Sequence, residues 1–112
     1  MIRRSDLRTE RGFEVGGLSL RPFAGDGIMV VRVEGPAGSV APEHTHPHEQ
    51  MTLVEAGRVR LRLDDDTLEL GPGECLHIPS GALHGAVVLE DAVFFDIFHP
   101  VREDFLERVA PE

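Results

Sequence analysis

Short runs of Val, Leu, Ile and Phe recur along the chain, each closed by Gly, Pro or Asp: FEVGGLSLRPF, IMVVRVEG, MTLVEAG, VRLRLDDDTLEL, CLHIPSG, GAVVLED and VFFDIFHP. Runs this short, with turn residues at such frequent intervals, predict antiparallel strands that close into a sandwich or barrel. The clearest alternation is Val59-Arg60-Leu61-Arg62-Leu63, apolar on one face and arginine on the other, so Arg60 and Arg62 are expected on a solvated outer face. Asp64-Asp65-Asp66 then reads as a hairpin turn into Thr67-Leu68-Glu69-Leu70, since the glycine and glutamate of a calcium loop are missing at their positions. Only the tail carries a helical period: Val101, Phe105, Leu106 and Val109 predict a short helix over residues 101–109, after Pro100.

The chain has 112 residues, the length of one domain with one core. Residues 1–12 are too polar to join that core and are expected to form an N-terminal arm; Arg3-Arg4-Ser5 lacks the apolar stretch an export signal needs. No run is long enough to span a bilayer, and a soluble, cytoplasmic protein is expected. Eleven basic residues against twenty acidic ones give a formal charge of -9, which repels nucleic acid and anionic membrane surfaces. All eleven are arginines, and Tyr and Trp are absent, so lysine Schiff bases and tyrosyl acid catalysis are excluded. The lone cysteine, Cys75, cannot form an internal disulfide and is expected to be a small buried residue.

The chemistry concentrates in His44-Thr45-His46-Pro47-His48-Glu49-Gln50. In an extended segment His44, His46, His48 and Gln50 share one parity, so several can face one cavity. Neutral imidazoles suit Zn, Ni, Fe or Mn, and an amide oxygen adds a harder, uncharged ligand. Glu49 and His48 are alternative ligands, but Glu49 has the opposite parity; His48 is expected to hydrogen-bond a neighbouring strand. Near the end, Phe94, Asp96 and Phe98 share a parity, so a carboxylate interrupts an apolar strand face. Arg102 is placed to pair with Asp96 or to clamp a substrate carboxylate with its planar fork. His77 and His99 fall on the outward parity and are expected at the surface or in a dimer contact.

Spacing joins these pieces. Gly38, five residues, His44-x-His46, three residues, Gln50, six residues and Gly57 are followed by Gly73, five residues and Pro79-x-Gly81-x-x-His84. The two blocks, residues 38–57 and 73–88, resemble the paired motifs of the cupin superfamily, with Gln50 where glutamate is commoner and Val88 in place of a final asparagine. The resemblance implies an all-β fold, a small antiparallel jelly-roll barrel with a short C-terminal helix. It also implies one divalent metal ion held by His44, His46, Gln50 and His84, and no organic cofactor.

The stretches HTHPHEQMTLVEAG and IPSGALHGAVVLEDAVFFDIFHPVREDFL are further similar to the KdgF group, cupins of pectin and alginate breakdown that open 4,5-unsaturated uronates to linear keto-uronates. That likeness implies catalysis by Asp96 and Arg102, with Phe98 and Arg102 against a sugar-acid substrate, and a homodimer. Two other functions fit a cupin: an Fe(II)-dependent oxygenase, and a non-enzymatic sugar- or metabolite-binding protein.

Overall fold

The computed structural model describes residues 1–109 of the chain. Eight strands, β1 (Phe13–Val15), β2 (Leu18–Ala24), β3 (Met29–Gly35), β4 (Val40–His44), β5 (Glu49–Leu63), β6 (Asp66–Leu70), β7 (Cys75–Ile78) and β8 (His84–His99), precede one helix, α1 (Glu103–Arg108). Every strand pairing is antiparallel.

The two long strands, β5 and β8, make the roll. Over residues 49–56, β5 pairs with the second half of β8 and with β7; over 58–63 it pairs with the first half of β8 and with β6. Likewise β8 carries β3 on residues 92–98 and β4 on residues 84–87. The remaining strands extend the first layer as β1-β2-β3. A sheet bent through two shared strands encloses one apolar interior, the jelly roll that the cupin resemblance implies.

Alternation supplies that interior. Leu18 and Leu20 of β2, Met29, Val31 and Val33 of β3, and Val88, Ala92, Phe94 and Phe98 of β8 are buried on one face. In β5 the buried residues are first even, Gln50, Thr52 and Val54, then odd, Val59 and Leu61. The register slips between Val54 and Val59, a bulge whose extra residue reverses the side-chain parity. Gly57 sits in this bend at φ +80°, and a Cβ there would stand 2.1 Å from the Asp91 carbonyl oxygen. Only glycine fits, which gives this motif position its physical meaning.

The hairpin at Asp64 forms as predicted, with Asp64 at φ 51° and Asp66 already pairing with Leu63 as the first residue of β6. Arg60 and Arg62 are exposed, as their alternation requires. The helix is shorter than residues 101–109: Arg102 is still extended, at φ -80° and ψ 90°, and Val109 has left the helix. The N-terminal arm is held to the barrel by Arg21, whose Nη1 donates to the Glu10 carbonyl oxygen at 2.6 Å. Cys75 corrects its expectation: it is exposed, because β7 turns Leu76 and Ile78 inward and Cys75 and His77 outward. Among the described residues, no helix is long and apolar enough to cross a membrane.

Candidate metal centre and cavity

His44 ends β4 and His84 begins β8, and the two are partners in register, so the motifs meet across one strand pair. His46 follows in the connecting loop, and Gln50 enters from β5, opposite Phe98 of β8. The ring centroids stand 4.3 Å apart for His44 and His84, 4.8 Å for His46 and His84, and 5.5 Å for His44 and His46. One ligating nitrogen from each ring lies within 4.8 Å of the others.

The backbone assigns two of the tautomers: Nδ1 of His44 donates to the Pro42 carbonyl at 2.7 Å and Nδ1 of His84 to that of Ala82 at 2.9 Å. Each neutral ring has one N–H, so Nε2 of His44 and of His84 is left with a lone pair. Nε2 of His84 is buried without a partner. His46 stands between two acceptors, the His48 carbonyl at 3.0 Å from Nδ1 and Gln50 Oε1 at 2.9 Å from Nε2, and its neutral ring has a proton for only one of them. Protonation does not relieve this crowding, because burial, with the field of Arg102 and the neighbouring histidines, holds His46 down at about 4 and lowers His84. Such a convergence of acceptors fits a divalent cation, and outer-sphere carbonyls on each Nδ1 are a usual accompaniment of metal-ligating histidine.

Beside these residues lies a cavity of about 350 Å³, lined by His44, Gln50, His84, Asp96, Phe98 and Arg102, with Phe105 and Arg108 from α1 at its edge. This is a size suited to a small molecule. Asp96 is opposite Thr52 in the β5–β8 register, both turned inward by the parity that also turns Gln50 and Phe98 inward. Thr52 Oγ1 donates to Asp96 Oδ1 at 2.7 Å and accepts from Gln50 Nε2 at 3.0 Å. Burial pushes the Asp96 carboxyl up to about 6, against the pull of its hydrogen bonds from Thr52 and Gln50 and the Arg102 charge.

Of the two roles open to Arg102, the ion pair with Asp96 does not form. Arg102 instead bonds Asp104 through Nε at 3.1 Å and Nη2 at 2.6 Å, two residues away across the start of α1. Its guanidinium lies over Phe105, 3.8 Å from the ring centroid, and 5.2 Å from that of Phe98. Phe105 packs edge-on against Phe98 at 5.6 Å and Phe13 at 5.2 Å, so α1 fastens to the barrel by aromatic contacts and presents a buried arginine to the cavity. One edge of the Arg102 fork is engaged by Asp104, and the residue lines the cavity.

The other histidines divide as their parity suggests, with one exception. His77 is on the surface, bridged to Glu49 at 2.7 Å, which places Glu49 outside the barrel and away from the cluster. His99 is exposed and bonds the Gly27 carbonyl oxygen. His48 corrects its expectation: its Nδ1 is buried without a partner, and the ring packs near His46 and Phe98 instead of bonding a strand. Thr52, Asp104, Phe105 and Arg108 were not among the sequence candidates. The parity of Thr52 with Gln50 was the one signal that pointed to any of them.

An eight-stranded roll with a histidine cluster at the junction of two motifs defines a cupin. The chain belongs to that family: the model of Cupin_2, the cupin domain, matches residues 31–98. KdgF from Halomonas sp. is 30% identical with a TM-score of 0.80, over 87% of this chain and 93% of that one. An RmlC-like cupin from Shewanella frigidimarina is 29% identical with a TM-score of 0.81, over 88% and 89%. Dimethylsulfoniopropionate lyase DddQ from Ruegeria pomeroyi is 36% identical over 64 residues, 56% of this chain. The matched segment spans about a third of that relative, 32% of its length.

Proposed function

We propose that this cupin is an enzyme that opens 4,5-unsaturated uronates to linear keto-uronates, using one divalent ion. The observation that carries the reading is the shared cavity: Asp96, Phe98 and Arg102 line the same space as His44, Gln50 and His84. The similarity to KdgF along almost the whole of both chains supports it.

His44, His46 and His84 would hold the ion through Nε2 and Gln50 through Oε1. When bound, such an ion polarises substrate hydroxyls and offsets negative charge that develops on oxygen. The rest falls to the chain. An unsaturated uronate is a cyclic hemiacetal whose ring oxygen belongs to an enol ether conjugated to a carboxylate. Opening removes the proton of the anomeric hydroxyl, breaks the bond from the anomeric carbon to the ring oxygen, and places a proton on C4 as the enol becomes a ketone. Proton loss and gain balance, so no oxidant or reductant is needed.

Asp96 is suited to both transfers, since a carboxyl near 6 is a better base than an exposed aspartate and is easily reprotonated. Thr52 keeps its Oδ1 aligned. Arg102 meets the substrate carboxylate with its free edge, held in plane by Asp104 and by Phe105 beneath it. Phe98, 2% exposed, walls the cavity against water beside the reacting atoms.

The similarity to a dimethylsulfoniopropionate lyase favours a second reading, elimination of a small sulfonium acid with Asp96 as base. A sulfonium would need an aromatic face, and the Arg102 guanidinium already covers Phe105 and approaches Phe98. The uronate reading is preferred on that ground. The discriminating experiment is proton NMR of the products in D₂O. Ring opening of an unsaturated monouronate places one deuterium at C4, whereas the second reading is recognised by release of dimethyl sulfide from dimethylsulfoniopropionate.

A further inference from the structure

Gln50 brings to the metal centre a side chain whose two ends are chemically opposite: Oε1 accepts, Nε2 donates. Only the oxygen can hold a cation. A half-turn of the carboxamide exchanges two atoms of almost the same size, so packing does not choose between them and hydrogen bonding must. Thr52, 1% exposed, stands two residues along the same inward face of β5. Its only proton goes to Asp96 Oδ1 at 2.7 Å, which leaves lone pairs toward Gln50, and Gln50 Nε2 donates into them at 3.0 Å. A carboxylate only accepts, so the donors run one way: Gln50 Nε2 gives to Thr52 and is drawn toward Asp96 beside it, and Thr52 gives to Asp96. The remaining end, Oε1, is then turned to His46 Nε2 at 2.9 Å.

We propose that Thr52 is a positioning residue of the metal centre: its hydroxyl, anchored on Asp96, turns the Gln50 carboxamide so that Oε1 faces the ion. A glutamate at position 50 would present oxygen in either orientation, so the need for Thr52 arises from this chain's glutamine. The inference rests on the metal-holding part of the proposed function and is independent of the uronate substrate.

The chain supplies its own probe. It has no asparagine and Gln50 is its only glutamine, so ¹⁵N-labelled protein has a single side-chain carboxamide NH₂ pair. In zinc-loaded wild type both protons of that pair persist, and at least one exchanges slowly with solvent. Zinc affinity, measured by competition with a chromophoric chelator, falls about tenfold or more in Thr52→Val, as for other losses of an outer-shell partner. Thr52→Ser keeps the hydroxyl and stays within about threefold of wild type. In a Gln50→Glu background, Thr52→Val also changes zinc affinity by less than about threefold, whereas a purely structural threonine would matter equally in both backgrounds.

Wild-type zinc affinity in Thr52→Val, or equal losses in the two backgrounds, overturns the inference while leaving the metal reading intact. If Thr52→Val does not fold, the wild-type signal decides: fast exchange of both Gln50 protons in the zinc-loaded protein overturns it. Wild type that binds no zinc overturns the metal reading and this inference together.

Discussion

His46 stands between two acceptors, the His48 carbonyl at 3.0 Å from Nδ1 and Gln50 Oε1 at 2.9 Å from Nε2, and its neutral ring has a proton for only one of them. With His84 Nε2 buried and unpartnered beside them, the folded chain concentrates lone pairs where a cation would relieve their repulsion. Divalent ions should therefore stabilise the fold strongly. At a hundred times the dissociation constant the gain is about 2.7 kcal/mol, on the order of 10 °C in Tm for a chain of this size. Differential scanning calorimetry with and without Zn or Ni should show this rise in wild type, and His84→Ala should show little or none.

Asp96→Asn separates chemistry from architecture. Asparagine still offers an oxygen to Thr52, so the metal should stay, while the loss of a proton carrier should lower kcat by at least about a hundredfold. Burying a carboxylate is unfavourable, and Asp96 is held at about 6 by that burial. Replacing it with a neutral amide should stabilise the metal-free protein at pH 7 to 8 by as much as about 3 kcal/mol, taking a shift of about two units. Urea denaturation reads the sign. Destabilisation would mark Asp96 as a structural residue.

Acid titration of metal-free protein sets two groups against each other. Asp96, raised from 3.8 to about 6, binds a proton in the folded state that the unfolded state has already lost, so its contribution to stability falls as pH rises through that window. His46, lowered from 6.5 to about 4, stays neutral in the folded state while the unfolded chain is protonated, so its contribution rises with pH over nearly the same range. The two slopes oppose, so Asp96 offsets most of the loss that His46 alone brings between pH 6 and 4. In Asp96→Asn that offset is gone, and the slope of His46, with that of His84, which burial also lowers, should emerge at no less than about 1.4 kcal/mol lost per pH unit on acidification. Parallel urea melts of the two proteins at pH 4, 5 and 6 measure the difference.

Arg102 is held by Asp104 and by the Phe105 ring, so its guanidinium is fixed before substrate arrives. Lysine keeps the charge but loses the fork and the stacking plane; Arg102→Lys should lower kcat/KM by roughly a hundredfold, much of it through KM. Asp104→Asn leaves Arg102 in place but weakens its tether, and a smaller loss, about three- to tenfold, is expected mainly in KM. Steady-state kinetics on both variants test whether orientation or charge alone matters.

The histidine cluster was legible in the sequence through two motifs that resemble those of cupins, and the roll through the alternation of its strands together with that resemblance. His44, His46, Gln50 and His84 are set by two local motifs, and the inward face of Phe94, Asp96 and Phe98 follows from simple alternation in β8. What alternation could not supply is a change of parity within one strand: β5 turns from even to odd across the Gly57 bulge. Of the two roles left open for Arg102, pairing with Asp96 is not taken up, because Arg102 lies in the extended link between β8 and α1, where no period applies. There a nearby carboxylate, Asp104, captured the guanidinium. Cys75 was misread from residue type, although the inward Ile78 of the same strand already implied that position 75 faces out.

Loss of the C4–C5 chromophore of an unsaturated monouronate, followed by ultraviolet absorbance, tests the central claim most directly. Protein loaded in turn with Ni, Zn, Mn and Fe(II) is compared with buffer containing the same ion. The expected result is a rate well above spontaneous opening with at least one ion, abolished in Asp96→Asn that still holds that ion. A rate equal to the buffer control with all four ions refutes the uronate reading.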